Sequence, residues 1–253
     1  MFDSHAHYDD RKFDGDREQL LRSLSFRGVK GVVNAGCCIP SSYRSLELAE
    51  KYDFVYATAG IHPNDCLKTG EGYLSELEKL LSHEKVVALG EIGLDYHWQT
   101  VSKDVQRKFF HEQLKLAQGL DVPVVIHARE AVGECVEAVL SYKGLRGIFH
   151  SFSGSKEIGK RLQNAGWYLS FSGPCTFSNA SNLKEVIKEC DINLFLTETD
   201  SPYLTPHPFR GKRNDSSYIK YIIEQIASVR NMTFEEVEKI TEENAFKIYN
   251  INI

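Results

Sequence analysis

No apolar stretch of about 18 residues occurs in the 253-residue sequence, so no membrane span is expected. The start, MFDSHAHYDD, lacks the basic head and apolar core of a secretory signal, which makes the cytoplasm the expected location. The six cysteines, Cys37, Cys38, Cys66, Cys135, Cys175 and Cys190, form no CxxC pair and no framework of the kind that staples small secreted domains. Reduced thiols follow. Cys37 and Cys38 are not expected to bind metal, because adjacent side chains at a strand end point in opposite directions. A basic excess is also missing: 30 Lys and Arg stand against 35 Asp and Glu, a formal net charge of -5. That balance argues against a protein that coats nucleic acid by general phosphate neutralisation, while leaving room for a local basic patch. No linker, repeat or low-complexity segment breaks the chain. What is present is ordinary globular composition, 42% hydrophobic and 26% charged, too apolar for disorder and long enough for one barrel.

Eight β-type apolar runs recur along the chain: FDSHAH, GVVNAGC, FVYATAGIHP, VVALGEIG, VPVVIHA, GIFHSF, WYLSFSG and LFLTETD. Between them lie amphipathic stretches such as SYRSLELAEKY, GYLSELEKLLS, QRKFFHEQLKLAQGL, AVGECVEAVLSY and KEIGKRLQNAG, whose apolar residues recur at three and four. Strands alternating with helices mean parallel βαβ units. The expected fold is α/β, a closed (β/α)8 TIM barrel forming a single domain over 1–253, with functional residues at the carboxyl ends of the strands. An open doubly wound sheet would bring together the ends of only two or three strands, whereas the candidate residues come from units one, four, five, six and eight. The tail DSSYIKYIIEQIASVRNMTFEEVEKITEENAFKIY predicts two C-terminal helices, the second opened by a capping box of Thr233 and Glu236.

Five of the strand ends carry histidine or carboxylate, the mixed nitrogen and oxygen donors that a divalent-metal site accepts. His5 and His7, two apart on a strand, face the same side, with Asp3 on that face as an orienting carboxylate. Glu91 follows VVALG, where a buried carboxylate is costly unless it meets a cation. His127 and His150 each end a run of apolar or small residues, and Asp200 closes TETDSP, with Glu198 on the same strand face as the residue that orients a water or a histidine. His62, in AGIHPND, is placed to meet a substrate oxygen. Arg129 and the Arg210, Lys212 and Arg213 of PFRGKRND are candidate phosphate contacts. The polar loops bearing Ser151, Ser153, Thr176, Ser178 and Asn179 offer no residue that stands out, and His83, His97, His111 and His207 read as non-ligands.

Taken in order, FDSHAHYD, AGIHP, GEIGLDYHW, QRKFFHEQLKLA, PVVIHARE, FHSFSG, GPCTFSNA, LFLTETDSPYL and RGKRND make nearly the whole chain resemble the TatD-type metal-dependent deoxyribonucleases of the metal-dependent hydrolase superfamily. The resemblance implies a (β/α)8 barrel with one or two divalent ions held by His5, His7, Glu91, His127, His150 and Asp200, acting on phosphodiesters of nucleic acid. Two departures, Tyr8 after the HxH and NDSSYI where NEPxYV is commoner, touch no proposed ligand and bear only on substrate fit. Another branch of the superfamily bridges its metals with a modified lysine. No lysine follows the apolar part of VVALGEIG or VVIHARE, so Glu91 is the expected bridge.

The resulting expectation is that His5, His7 and Asp200 hold one ion, His127 and His150 a second, and Glu91 both, with Asp200 and Glu91 catalytic and the metal Mg²⁺, Mn²⁺ or Zn²⁺. Tyr96, Trp98, Phe152 or Tyr203 would stack an unpaired base. The substrate implied is DNA, single-stranded or at strand ends, cut as a 3′-to-5′ exonuclease, with no obligate protein partner. The same chemistry would serve an ester or amide hydrolase, for instance an aminoacyl-tRNA deacylase, and a metal that only stabilises an interaction module is a third reading.

Overall fold

The computed structural model describes residues 1–251. Eight parallel strands follow one another around the sheet in chain order, every neighbouring pair parallel. They are β1 (Phe2–Ala6), β2 (Gly31–Ala35), β3 (Val55–Ala59), β4 (Val86–Asp95), β5 (Val124–Arg129), β6 (Gly147–Phe149), β7 (Tyr168–Phe171) and β8 (Phe195–Thr197). The turn after β8 closes the ring on β1: the His7 N–H donates to the Ser201 carbonyl at 2.7 Å, and the Asp200 N–H to the His5 carbonyl at 2.9 Å. The barrel architecture and its strands follow the expected pattern, with β4 running on to Asp95.

Helices α1 (Arg17–Leu24), α2 (Ile39–Lys51), α3 (Tyr73–Leu81), α4 (Lys103–Leu120), α5 (Val132–Ser141), α6 (Lys156–Asn164), α7 (Ser181–Glu189) and α8 (Ile219–Arg230) alternate with the strands. Each lays an apolar stripe on the barrel. In α8 that stripe is Ile219, Ile222, Ile223 and Ile226, all buried, each side chain contributing roughly 1.5–3 kcal/mol by leaving water. The stretches forming α1 and α7 were not singled out by periodicity; α1 buries only Leu20, Leu21 and Leu24, and α7 only Val186 and Ile187.

The last helix, α9 (Phe234–Tyr249), opens with the expected capping box, Thr233 and Glu236 satisfying each other's backbone N–H groups. It closes the amino-terminal end of the barrel. Asn244 Nδ2 donates to the Ile192 and Phe195 carbonyls at 3.0 and 2.9 Å, and Ala245, Ile248 and Tyr249 join an inner core with Val33, Val125, Ile148 and Leu196. Val125, Ile148 and Leu196 lie two residues before His127, His150 and Glu198 on the same strand faces, so the apolar interior is the floor on which the polar residues stand.

Candidate metal centre

Period-two alternation turns His5 and His7 to one side of β1. The His7 ring is fixed by Nδ1, which donates to the Ala35 carbonyl at 3.2 Å and so turns Nε2 inward. His5 Nε2 and His7 Nε2 face each other at 3.1 Å. Asp200 Oδ1 lies 3.2 Å from His7 Nε2 and 3.7 Å from His5 Nε2. Asp200 has φ of 56°, a left-handed conformation that aspartate tolerates better than most side chains, and its N–H bond to His5 holds it there.

Glu91 stands between two groups of histidines. Oε2 is 3.6 Å from both His5 Nε2 and His7 Nε2, while Oε1 is 2.7 Å from His127 Nδ1 and 3.0 Å from His150 Nε2. The approach of β4 to β5 that makes this contact depends on Gly93, whose φ is 144° and where a Cβ would sit 1.9 Å from the His127 carbonyl oxygen. The structure thus brings together all six expected ligands, in two sets of donors: His5, His7 and Asp200 in one, Glu91, His127 and His150 in the other.

A second layer of carboxylates holds the histidines. His150 Nδ1 donates to Glu198 Oε1 at 3.2 Å, and the Ser151 N–H reaches the same oxygen at 2.7 Å. Glu198 is wholly buried, and its Oε2 has no hydrogen-bond partner. His127 Nε2 is 3.2 Å from Asp95 Oδ2; Asp95 also accepts the backbone N–H groups of His97 and Trp98 and a 3.2 Å bond from Asn64 Nδ2. Asp95 was missed in the sequence, although it shares the strand face of Glu91 four residues on. Asp3 departs from its expected role. It accepts from the Thr199 backbone and hydroxyl, from Ser216 and from the His5 N–H, so it fastens β1 to the turn after β8 and touches no imidazole.

The electrostatics are those of a cation site. Burial pushes Glu91 upward, but His150, His62 and His127 outweigh it and hold the carboxyl well below its usual range. Asp200 is lowered in the same way, burial being overcome chiefly by His7. Burial works against charge on His7, His127 and His150 too, yet their neighbours win: Cys37 and Asp200 for His7, Asp95 and Glu91 for His127, and Glu91 and Glu198 for His150 raise all three. His5 is lowered by burial and by the charge of His150, and burial takes His62 down to about 4. The carboxylates therefore draw positive charge into the centre, and imidazole lone pairs converge on the same space. That donor set, with the orphaned Glu198 oxygen beside it, fits hard or borderline divalent ions.

The centre opens into a cavity of about 950 Å³, lined by His7, His62, Glu91, His127, His150 and Asp200 among others. His62 Nδ1 accepts the Asn64 N–H, which presents Nε2 toward Glu91 Oε1 at 3.6 Å. Arg129 is at the cavity wall, its guanidinium 5.5 Å from the centroid of Trp98. Arg210, Lys212 and Arg213 do not line it. Arg213 is engaged by both oxygens of Asp16 and by the Lys12 carbonyl, Arg210 lies over Phe177, and Lys212 over Phe209. The basic residues at the wall are instead Arg11, Lys12 and Arg44, which nothing in the sequence marked apart from other loop residues. Of the aromatic residues considered for stacking, Trp98 and Tyr203 line the cavity and are 53% and 41% exposed; Phe152 is buried in the core, and the Tyr96 hydroxyl is bound to Glu134.

Comparison with known proteins identifies the family. A family model described as TatD related DNase matches residues 2–250. This chain belongs to the TatD family. It is 45% identical over 255 residues to YabD of Bacillus subtilis (strain 168), an uncharacterized metal-dependent hydrolase, with the whole of both chains covered. YcfH of Escherichia coli (strain K12), also an uncharacterized metal-dependent hydrolase, is 31% identical across 100% of this chain and 96% of its own. The crystal structure of YjjV, a TatD homolog from Escherichia coli K12, superposes with a TM-score of 0.93 at 28% identity, covering 100% of this chain and 98% of the other. The TatD-family chain is thus a metal-dependent hydrolase built on a (β/α)8 barrel.

Proposed function

We propose that this TatD-family hydrolase cleaves phosphodiester bonds of DNA, removing nucleotides from single-stranded 3′ ends. The observation that carries the reading is the two-sided Glu91, one oxygen turned to His5 and His7 and the other to His127 and His150. In this reading His5, His7 and Asp200 would hold one ion and His127 and His150 a second, with Glu91 between the two sets as a candidate for either. Bound there, divalent ions would supply the positive charge that makes a water easier to deprotonate and stabilises the charge developing on a phosphoryl oxygen.

The remaining work falls to the chain. Asp200, kept ionised by its contact with His7, accepts the proton of the attacking water at a carboxylate oxygen. His62, with Nε2 toward the centre, donates to a phosphate oxygen, and Arg129 offers a bidentate fork at the wall. Trp98 and Tyr203, partly exposed with Arg129 and Lys12 against their rings, supply aromatic surface for an unpaired base. A cavity of about 950 Å³ with both acidic and basic walls suits a strand end better than a long duplex, and the family's description as DNase-related supports nucleic acid as the substrate class.

The test is cleavage of a 5′-labelled single-stranded DNA oligonucleotide by wild type and Asp200→Asn, with Mg²⁺, Mn²⁺ or Zn²⁺ added after chelation. A metal-dependent ladder shortening from the 3′ end, lost in the mutant, is the expected result. Intact DNA under every metal, with metal still bound, would sink the reading and direct the protein to acyl esters such as aminoacyl-tRNA.

A further inference from the structure

We propose that Cys37 is a sulfur ligand of the metal centre, giving the ion position between His7 and Glu91 a donor that selects a thiophilic ion such as Zn²⁺ over Mg²⁺. The inference rests on the reading of that position as a metal site. Cys37 lies in the loop between β2 and α2, and its Sγ is 3.6 Å from Glu91 Oε2, the same oxygen that faces His5 Nε2 and His7 Nε2 at 3.6 Å each. Cys37, His7 and Glu91 form a three-donor group in their own right.

The spacing is what coordination requires. With a zinc–sulfur bond of about 2.3 Å, a zinc–oxygen bond of about 2.0–2.2 Å and a tetrahedral angle, sulfur and oxygen on one ion stand about 3.5–3.7 Å apart. The backbone holds Cys37 at that distance from several directions. Its N–H donates to Ser41 Oγ at 3.2 Å, its carbonyl accepts the His62 N–H at 2.8 Å, and the preceding Gly36 carbonyl accepts the Glu91 N–H at 3.0 Å. His7 Nδ1 is 3.7 Å from the sulfur but is committed to the Ala35 carbonyl, so the thiol gains no acceptor there. Adjacent side chains do diverge, as strand geometry demands, but divergence excludes only one of the pair. Cys37 takes the inward direction, and Cys38 becomes the residue that precedes α2.

On binding, the S–H bond is replaced by a sulfur–metal bond and the proton leaves to solvent, with no change of oxidation state. A thiolate raises preference for borderline and soft ions, while Mg²⁺ favours oxygen. The competing reading is a thiol that only donates a hydrogen bond, to Glu91 Oε2 at 3.6 Å or to the Ala35 carbonyl at 4.0 Å, which leaves no spectroscopic trace of sulfur on a metal.

Chelated wild type, Cys37→Ser and Cys38→Ser are loaded with Co²⁺ and their absorption spectra recorded. A sulfur-to-cobalt charge-transfer band in the near ultraviolet is expected in wild type and Cys38→Ser and absent from Cys37→Ser, with the visible ligand-field bands of bound Co²⁺ kept in all three. Visible bands without the charge-transfer band in wild type, or a band surviving in Cys37→Ser, would overturn the Cys37 assignment and leave the metal centre standing. Failure of wild type to bind Co²⁺ would overturn both. In competition titrations Cys37→Ser should lose at least ~10-fold in Zn²⁺ affinity with that for Mg²⁺ changed less; equal losses would refute the selectivity.

Discussion

Glu91 is one carboxylate facing five imidazoles, those of His5, His7, His62, His127 and His150, and removing its charge leaves all five without their common partner. In a metal-saturated protein, Glu91→Ala or Asp200→Ala should lower kcat by at least ~10²-fold, about 2.7 kcal/mol of transition-state stabilisation. An undiminished rate would remove them from the reaction. Asp95 acts one layer out, its oxygen 3.2 Å from His127 Nε2. Asp95→Asn keeps the shape but substitutes a neutral amide for the charged acceptor. Metal affinity at the His127 and His150 position should fall ~10–100-fold, the other position changing less, as calorimetric titration would resolve. The six candidate ligands were legible because each ends an apolar run, where an unpaired polar group is expensive. Asp95 was hidden because its partner, His127, lies 32 positions away, and Cys37 because alternation says that neighbours diverge without saying which one points inward.

At the scale of elements, the centre depends on how close two strands can come. Gly93 lets β4 lie against β5 so that Glu91 reaches His127, and an added methyl would meet the His127 carbonyl in a backbone conformation that side chains rarely adopt. Gly93→Ala should therefore cost at least ~1–3 kcal/mol in urea unfolding and weaken metal binding with it. Unchanged stability and metal content would show that the strands can part without harm. The eight strands could be read from the sequence because barrel strands are buried on both faces and become near-continuous apolar runs. The loops could not. Arg213 looked free among charged neighbours, but its partner Asp16 is 197 positions away across the barrel mouth, and only the closed fold brings them together.

For the molecule as a whole, the histidines and carboxylates of the centre come from β4 and β5, from the carboxyl ends of β1 and β6 and the residues just past them, and from the turn after β8, so whatever binds them ties the ring together across its closure. Without an ion, the ionised carboxylates meet imidazole protons and, at Glu91, the Cys37 thiol, and burial opposes charge on carboxylate and imidazole alike. A divalent ion supplies the positive charge at one point and binds the folded ring far better than the unfolded chain, where the donors are scattered. At about 100 times the dissociation constant, such binding adds about 2.7 kcal/mol. For a chain of this size that corresponds to a rise of roughly 5–10 °C in Tm. Thermal unfolding of chelated protein, repeated with Zn²⁺ or Mn²⁺ restored, should show that rise in wild type and much less of it in Glu91→Ala. An equal rise in the mutant would place the stabilising ion elsewhere, whereas no rise in wild type would mean that the ring closes on its protons alone.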